Sequence, residues 1–87
     1  MARYKGPKYN GWTNYETWNV MLWFDNDEGL YHFYRDTAEQ QRITASIAED
    51  LAYEAMPNGT PDFKGRGGAR NYSRVNWAEI ARAMNEK

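Results

Sequence analysis

The chain has 87 residues, with 11 basic and 12 acidic side chains, one histidine, no cysteine and an aromatic content of 16%. This length accommodates one small domain, and the lack of cysteine excludes disulfides, thiolate metal sites and cysteine nucleophiles. One histidine and no long apolar run argue against a Ser-His-Asp triad, a secretory signal and a membrane span. The sequence therefore predicts an intracellular single domain without a catalytic site, cofactor or metal.

Residues 1–12 are predicted to form an irregular, basic and aromatic arm, because two glycines and a proline interrupt any regular element. Thr13 is the predicted N-cap of a first helix, over about 14–26, with Glu16 completing a capping box. Apolar side chains surround almost the whole circumference of this helix. Such a helix is either central to a core or covered on one side by a partner.

A second helix is predicted after a cap at Asp25 or Asn26, with acidic residues in its first turn, where the helix dipole favours them. Its apolar stripe consists of Leu30, Phe33, Tyr34 and Ala38. The helical phase shifts around 42–44, and a further stripe follows, made of Ile47, Leu51 and Ala55 with Ala48 and Ala52. This stripe predicts either a third helix or a continuation of the second across a kink.

Residues 57–73 are rich in Gly and Pro and lack periodicity, so they are predicted to form a long loop. The last helix begins after Asn76, which is its predicted N-cap, with Glu79 at the capping-box position and Val75 stapled onto Ile80. Its apolar stripe consists of Trp77, Ile80, Ala81 and Met84. Together these features predict an all-α domain of three to four helices with an irregular N-terminal arm.

Charge is distributed unevenly along the chain. Residues 1–8 carry a net charge of +3, residues 9–62 a net charge of −8, and residues 63–87 a net charge of +4. One interpretation is that the basic segments pack on the acidic helices. The other is that the bipolar surface selects a partner by complementary potential.

The segment 63–74 interleaves four cations with Phe63 and Tyr72, an arrangement that can follow a phosphate backbone while stacking bases. It suggests nucleic-acid binding as one hypothesis and a solvated loop without a ligand as the other. The candidate nucleic-acid-binding residues are the cations of this loop and of the arm: Arg3, Lys5, Lys8, Lys64, Arg66, Arg70 and Arg74.

Six large aromatic side chains lie within the first third of the chain: Tyr4, Tyr9, Trp12, Tyr15, Trp18 and Trp23. Some are expected in the core. An arm interrupted by Gly and Pro cannot bury all its rings by regular packing, however, and Tyr and Trp dominate interface energetics. These six residues are therefore the candidate protein-binding surface, which a homo-oligomer could also use.

The sequence over 9–31 contains Asn14, Thr17-Trp18, Val20, Leu22-Trp23 and Asn26-Asp27. This spacing resembles the core motif N-x-x-T-W-x-V-x-L-W-x-x-N-(D/E) of a group of small proteins from bacteriophages and mobile elements. The ending 75–81 is similar to the "V-(D/N)-W-x-E-I-A" ending of that group. The resemblance implies a phage accessory protein in the host cytoplasm that binds a host protein and inhibits or redirects it.

Overall fold

The computed structural model describes residues 9–86, which adopt an all-α architecture and so confirm the predicted fold class. Over these residues the elements are α1 (Tyr15–Asn26), α2 (Glu28–Gln40), α3 (Ala45–Ala55), two 3-10 helices (Pro61–Phe63 and Gly68–Arg74) and α4 (Trp77–Asn85). With the two 3-10 helices included, the number of helices in this range exceeds the predicted three to four. Most of the predicted arm, including Arg3, Tyr4, Lys5 and Lys8, lies outside the described residues. No helix in the described range combines the length and apolar character needed to cross a bilayer.

The last helix occupies the centre of the fold, because α4 packs against α1, α2 and α3. α1 and α2 are separated by Asp27 alone and pack against each other. Each helix contributes apolar side chains to one core, joined by residues of the 3-10 helices. The buried apolar residues are Val20, Met21, Phe24, Tyr34, Ile43, Ala48, Leu51, Ala52, Met56, Phe63, Tyr72, Val75, Ile80, Ala81 and Met84.

The N-cap predicted for α1 is wrong by one residue. Asn14, not Thr13, caps the helix, and its Oδ1 accepts a hydrogen bond from the Thr17 backbone N–H at 2.9 Å. Glu16 closes no capping box, since the Thr13 N–H donates to the Glu79 carboxylate instead. The Glu16 carboxylate lies 3.7 Å from the Arg74 guanidinium. Both Thr and Asn are good caps, so the choice between these two neighbours depends on what else binds them.

The cap predicted for α2 is wrong, and the cap of α3 decides between a third helix and a continued second one. Asp27, rather than Asp25 or Asn26, caps α2, and its carboxylate accepts from the Leu30 N–H at 3.0 Å. α3 is a separate helix, not a continuation of α2, because Thr44 caps it. Between them Gln41 is extended, with φ −163° and ψ 161°. The phase shift in the sequence therefore marks a true break between two helices.

Asn76 caps α4 as predicted, with its Oδ1 accepting from the Glu79 N–H at 3.1 Å. The capping box does not close within α4, however. The Glu79 carboxylate accepts from the Thr13 N–H at 3.0 Å, and the Asn76 N–H donates to the Thr17 hydroxyl at 2.9 Å. In addition, the Asn14 side-chain amide donates to the Arg74 carbonyl at 2.8 Å. We call this exchange of caps between the starts of α1 and α4 the N-terminal clasp.

The long loop predicted over 57–73 contains short helical turns. The two 3-10 helices fall in or across this segment, and they bring Phe63 and Tyr72 into the core, where each is at most 1% exposed. A 3-10 helix has three residues per turn and is short, so it leaves no 3.6-residue periodicity in the sequence. The rest of the segment, 57–60 and 64–67, forms turns and irregular backbone.

Candidate functional site

A tight turn at 9–12 begins the described part of the chain. Asn10 and Gly11 both have positive φ, of 50° and 89°, as in a type I′ turn. Tyr9 and Trp12 exchange two backbone hydrogen bonds of 2.7 and 2.8 Å across it. Asn-Gly is a strong signal for this turn, and the prediction of an irregular arm through Trp12 missed it. Residues paired in this way project their side chains to the same side.

The turn places an aromatic cluster against α1. The Tyr9 ring lies 4.9 Å from the Trp18 ring and 5.5 Å from the Tyr15 ring, and Tyr15 and Trp18 are themselves 5.6 Å apart. Such edge and tilted contacts stabilise aromatic pairs beyond simple burial. All three side chains remain half-buried. The cluster is thus held in place by its own contacts while keeping part of its surface in water.

This cluster belongs to a second apolar face of α1. Val20 and Phe24 point into the core, whereas Trp18 and Leu22, four residues apart and on another side of the helix, are half-buried. The all-round apolar character predicted for this helix is therefore explained by a core face and an outer face. We call the outer face, with the two side chains of the turn, the Trp18 face; it consists of Tyr9, Trp12, Tyr15, Trp18 and Leu22.

Trp12 stands between two shallow grooves. The groove toward α1 has a volume of about 160 Å³ and is lined by Trp12, Trp18, Met21, Leu22, Asp25 and Asn26. The groove toward α4 has a volume of about 220 Å³ and is lined by Gly11, Trp12, Glu79, Arg82, Ala83 and Glu86. The Trp12 indole is half-buried and packs against the edge of the core. The structure therefore brings together four of the predicted aromatic residues: Tyr9, Trp12, Tyr15 and Trp18.

Trp23 does not join them. About 140° of helix rotation separates it from Trp18, and its indole N–H donates to Asp62 Oδ2 at 3.0 Å. The buried Asn19 side chain donates to the same oxygen at 2.7 Å. These two hydrogen bonds lower the pKa of Asp62. Trp23 and Asn19 therefore attach the first 3-10 helix to α1, a role that the sequence pattern did not reveal.

The predicted nucleic-acid-binding residues divide into groups. The exposed Arg66, Arg70 and Arg74 line one groove of about 360 Å³ with Gly67, Asn71 and Ser73. Lys64 is exposed at a different groove, beside the residues that follow α3. Phe63 and Tyr72 were expected to offer rings for base stacking, and this expectation is wrong because both rings are buried. The buried Tyr72 hydroxyl donates to the Met56 carbonyl at 2.7 Å instead.

The titratable groups show no assembled centre among the described residues. No group of three or more His, Asp or Glu side chains within 9–86 is placed to hold a metal ion. His32 is 65% exposed beside Glu28. Burial raises the pKa of Tyr34 and of Tyr72, and burial together with nearby Asp62 raises that of Tyr15. The Tyr34 and Tyr72 phenols remain protonated at neutral pH and donate to Asp25 and to the Met56 carbonyl, respectively.

No curated protein and no solved structure shows significant similarity to the chain. A protein-family model, by contrast, matches residues 5–87, which are almost the entire chain. The chain belongs to that family, which is described as a family of unknown function (DUF7249).

Proposed function

We propose that the protein is a non-catalytic binding protein whose Trp18 face docks on another protein and thereby inhibits or redirects it. The observation that carries this proposal is the second apolar face of α1, which the packing of residues 9–86 leaves half-buried. Tyr and Trp are the residues most enriched at energetic hot spots of interfaces, and they act best when a partner completes their burial.

The Trp18 face is also preorganised. The turn at 9–12 is closed by two backbone hydrogen bonds, and Tyr9 packs on both Tyr15 and Trp18. Side chains already held in position lose little conformational entropy on binding, so more of the contact energy contributes to affinity. This arrangement favours a binding surface over a collection of loosely exposed rings.

The resemblance to small bacteriophage proteins favours a host protein as the partner and the host cytoplasm as the place of action. The described helices support such a role through their charge as well. α1, Asp27 and α2 together carry six acidic side chains against one arginine, a net charge of −5. An acidic surface beside the aromatic face would steer a basic partner surface toward it.

Affinity purification from host lysate followed by direct binding of the purified partner tests the proposal. Trp18→Ala and Leu22→Gln alter the Trp18 face, whereas Tyr53→Ala alters an exposed aromatic residue on α3 and serves as the matched control. A hot-spot residue contributes about 2 kcal/mol, so Trp18→Ala should weaken binding about 30-fold. Equal affinity of all three correctly folded variants would refute the proposal.

Nucleic-acid binding is the second candidate, favoured by one observation: Arg66, Arg70 and Arg74 are exposed and share a groove. Three phosphate contacts predict that the logarithm of the affinity for duplex DNA falls with the logarithm of salt concentration with a slope of about −2.7. The burial of Phe63 and Tyr72 removes the base-stacking part of the earlier hypothesis. What remains is a sequence-independent contact with the phosphate backbone.

Fluorescence anisotropy with a labelled DNA duplex at several salt concentrations tests this candidate. The double variant Arg66→Gln/Arg70→Gln should bind more weakly and with a slope closer to zero by about 1.8. The matched control is Arg42→Gln/Arg82→Gln, which removes the same charge from exposed positions outside the groove. If both double variants behave alike, the groove has no specific part in DNA binding.

A further inference from the structure

The dipeptide Asn-Gly occurs twice in the sequence, at 10–11 and 58–59. In this dipeptide the backbone nitrogen of the glycine can attack the side-chain amide of the asparagine, because glycine has no side chain to shield that nitrogen. In a folded protein the attack also requires the peptide group between the two residues to rotate. The fold treats the two pairs differently in this respect.

The peptide group between Asn10 and Gly11 is free to rotate. The two backbone hydrogen bonds that close the turn join Tyr9 and Trp12 and do not involve it. Among residues 9–86, nothing accepts from the Gly11 N–H or donates to the Asn10 carbonyl, and both residues are exposed. A Cβ atom on Gly11 would meet nothing within 4 Å, so the rotation has room.

Rotation of this peptide group converts a type I′ turn into a type II′ turn. The hydrogen bonds between Tyr9 and Trp12 are compatible with both types, since both close two-residue hairpins. In a type II′ turn the ψ angle of the first central residue is about −120°. At that angle the Gly11 nitrogen is eclipsed with Cβ of Asn10, which is the geometry of a five-membered ring. The nitrogen then faces the side-chain carbonyl carbon of Asn10, Cγ.

The second pair is held in place. The Gly59 N–H donates to the Met56 carbonyl at 3.0 Å. A Cβ atom on Gly59 would lie 2.7 Å from the Gly68 carbonyl carbon, and one on Gly68 would lie 2.9 Å from the Asn58 carbonyl oxygen. Rotation of the Asn58–Gly59 peptide group therefore requires breaking a hydrogen bond and separating packed backbone.

We propose that Asn10 is a site of spontaneous deamidation, and that the modification opens the turn that carries Tyr9 and Trp12. The Gly11 nitrogen forms a bond to Asn10 Cγ, the bond from Cγ to Nδ2 breaks, and ammonia leaves with the proton that the Gly11 nitrogen gives up. Water then opens the resulting succinimide at either carbonyl, which gives aspartate or isoaspartate. Neither step needs an oxidant or a reductant.

The two products affect the turn differently. Isoaspartate adds one methylene group to the main chain between Tyr9 and Trp12. The two hydrogen bonds of 2.7 and 2.8 Å require a two-residue connection of normal length, so they are not both retained in this product. Tyr9 is then no longer fixed against Tyr15 and Trp18. Aspartate keeps the main chain and adds a negative charge at the turn.

Peptide mapping by mass spectrometry tests the modification site. The intact folded chain is incubated in buffer, sampled over time and then digested. The chain unfolded in guanidinium chloride gives the reference rate for each site. After correction for this reference, Asn10 should lose its amide at least about tenfold faster than Asn58, a difference of about 1.4 kcal/mol in activation free energy. Equal corrected rates, or a faster reaction at Asn58, would overturn the inference.

The opening of the turn has its own test. Asn10→Gly lacks the side-chain amide and still suits a type I′ turn, so it is the matched control. NMR follows the contact between the rings of Tyr9 and Trp18, whose centroids lie 4.9 Å apart. In the wild-type chain this contact should be lost in proportion to the isoaspartate formed, and in Asn10→Gly it should persist. A contact that persists in the isoaspartate form would refute the opening of the turn.

The consequence for binding rests on the proposed function, and the two proposals fail in distinguishable ways. The isoaspartate form should bind the purified partner at least about tenfold more weakly than the unmodified chain. Full affinity after loss of the contact between Tyr9 and Trp18 would contradict the proposed function and leave the modification site standing. If Asn10 keeps its amide as long as Asn58 while Trp18→Ala loses the partner, the modification site alone is wrong.

Discussion

At the scale of single residues, Asp62 shows how an exposed side chain can organise a buried network. Its carboxylate accepts from Asn19 and Trp23 on α1, which lie 43 and 39 residues away in sequence. The side-chain oxygen Oδ1 of Asn19 accepts in turn from the buried Thr60 hydroxyl. Removing Asp62 would leave the fully buried Asn19 amide with a poorer partner. A buried polar group without its hydrogen bond is destabilising.

We expect Asp62→Ala to lower the free energy of unfolding by about 1 kcal/mol at neutral pH, because the two hydrogen bonds to the carboxylate are lost. The loss is no larger because the site is exposed and water replaces part of this hydrogen bonding. The pKa of Asp62 is lowered from its ordinary value of 3.8. Its stabilisation is therefore complete above that value and is lost as the pH falls through the folded-state pKa. Urea unfolding followed by tryptophan fluorescence, at about pH 7 and about pH 3, measures both effects.

Asp36→Ala is the control, because Asp36 is an exposed acid on α2. Its effect should stay within about 0.5 kcal/mol. A difference between wild type and Asp62→Ala that remained constant across this pH range would contradict the role assigned to the carboxylate.

Two tyrosines in contact provide a second test at this scale. Tyr53 and Tyr72 pack edge-to-face with ring centroids 4.9 Å apart, but Tyr72 is fully buried and Tyr53 is 44% exposed. The Tyr72 hydroxyl donates to the Met56 carbonyl just after α3 ends. Tyr72→Phe should lower the free energy of unfolding by about 1 kcal/mol, and Tyr53→Phe should leave it nearly unchanged. Equal effects in urea unfolding would show that the buried hydroxyl contributes no specific stabilisation.

At the scale of elements, the segment between α3 and α4 depends on one close backbone approach. Gly59 has φ +92°, and a Cβ atom there would lie 2.7 Å from the Gly68 carbonyl carbon. Gly65 has a similar φ of +81°, yet a Cβ atom on it would meet nothing within 4 Å. The two glycines therefore separate the effect of a left-handed backbone from the effect of a steric clash.

Gly65→Ala should destabilise the protein by about 1 kcal/mol through backbone strain alone. Gly59→Ala should cost at least about 2 kcal/mol more, because the two halves of the segment must move apart. Thermal or urea unfolding of both variants measures the difference. Similar losses for the two would mean that the segment has room to adjust where it passes over Gly68.

The element scale also shows which local signals were sufficient. Asn76 and the stripe of α4 correctly identified the start and the buried face of that helix, since both depend on neighbours within one or two turns. The two 3-10 helices carry no comparable signal. Burial of Phe63 and Tyr72, which holds the segment to the core, depends on partners such as Met56 that lie 16 residues from Tyr72 in sequence.

At the scale of the whole molecule, the N-terminal clasp joins parts of the chain that are far apart in sequence. The Thr17 hydroxyl accepts from the Asn76 N–H, 59 residues away, and donates to its own helix cap, Asn14. Thr17 is fully buried. Its hydroxyl therefore links the start of α1 to the start of the central helix, α4.

Thr17→Val retains the shape of the side chain and removes the hydroxyl, so it should lower the free energy of unfolding by about 1–3 kcal/mol. Thr37→Val, at a half-buried position of α2, is the control and should change the stability by less than about 0.5 kcal/mol. Circular dichroism and tryptophan fluorescence should report the same transition, since both clasped helices belong to one core. Separate transitions would show that α4 unfolds independently of α1.

The sequence by itself determined the helical class, the cap and stripe of α4, and the separation of charge into acidic and basic segments. These properties follow from composition and from contacts between close neighbours. Only the tertiary structure decided that Asn14 and not Thr13 caps α1, because the Thr13 hydroxyl accepts instead from the Asn76 side-chain amide, 63 residues away. It also decided that four aromatic residues share one face while Trp23 is bound by Asp62. The physical reason is that a polar or aromatic side chain with several acceptable partners is assigned to one only when the packed helices bring that partner within reach.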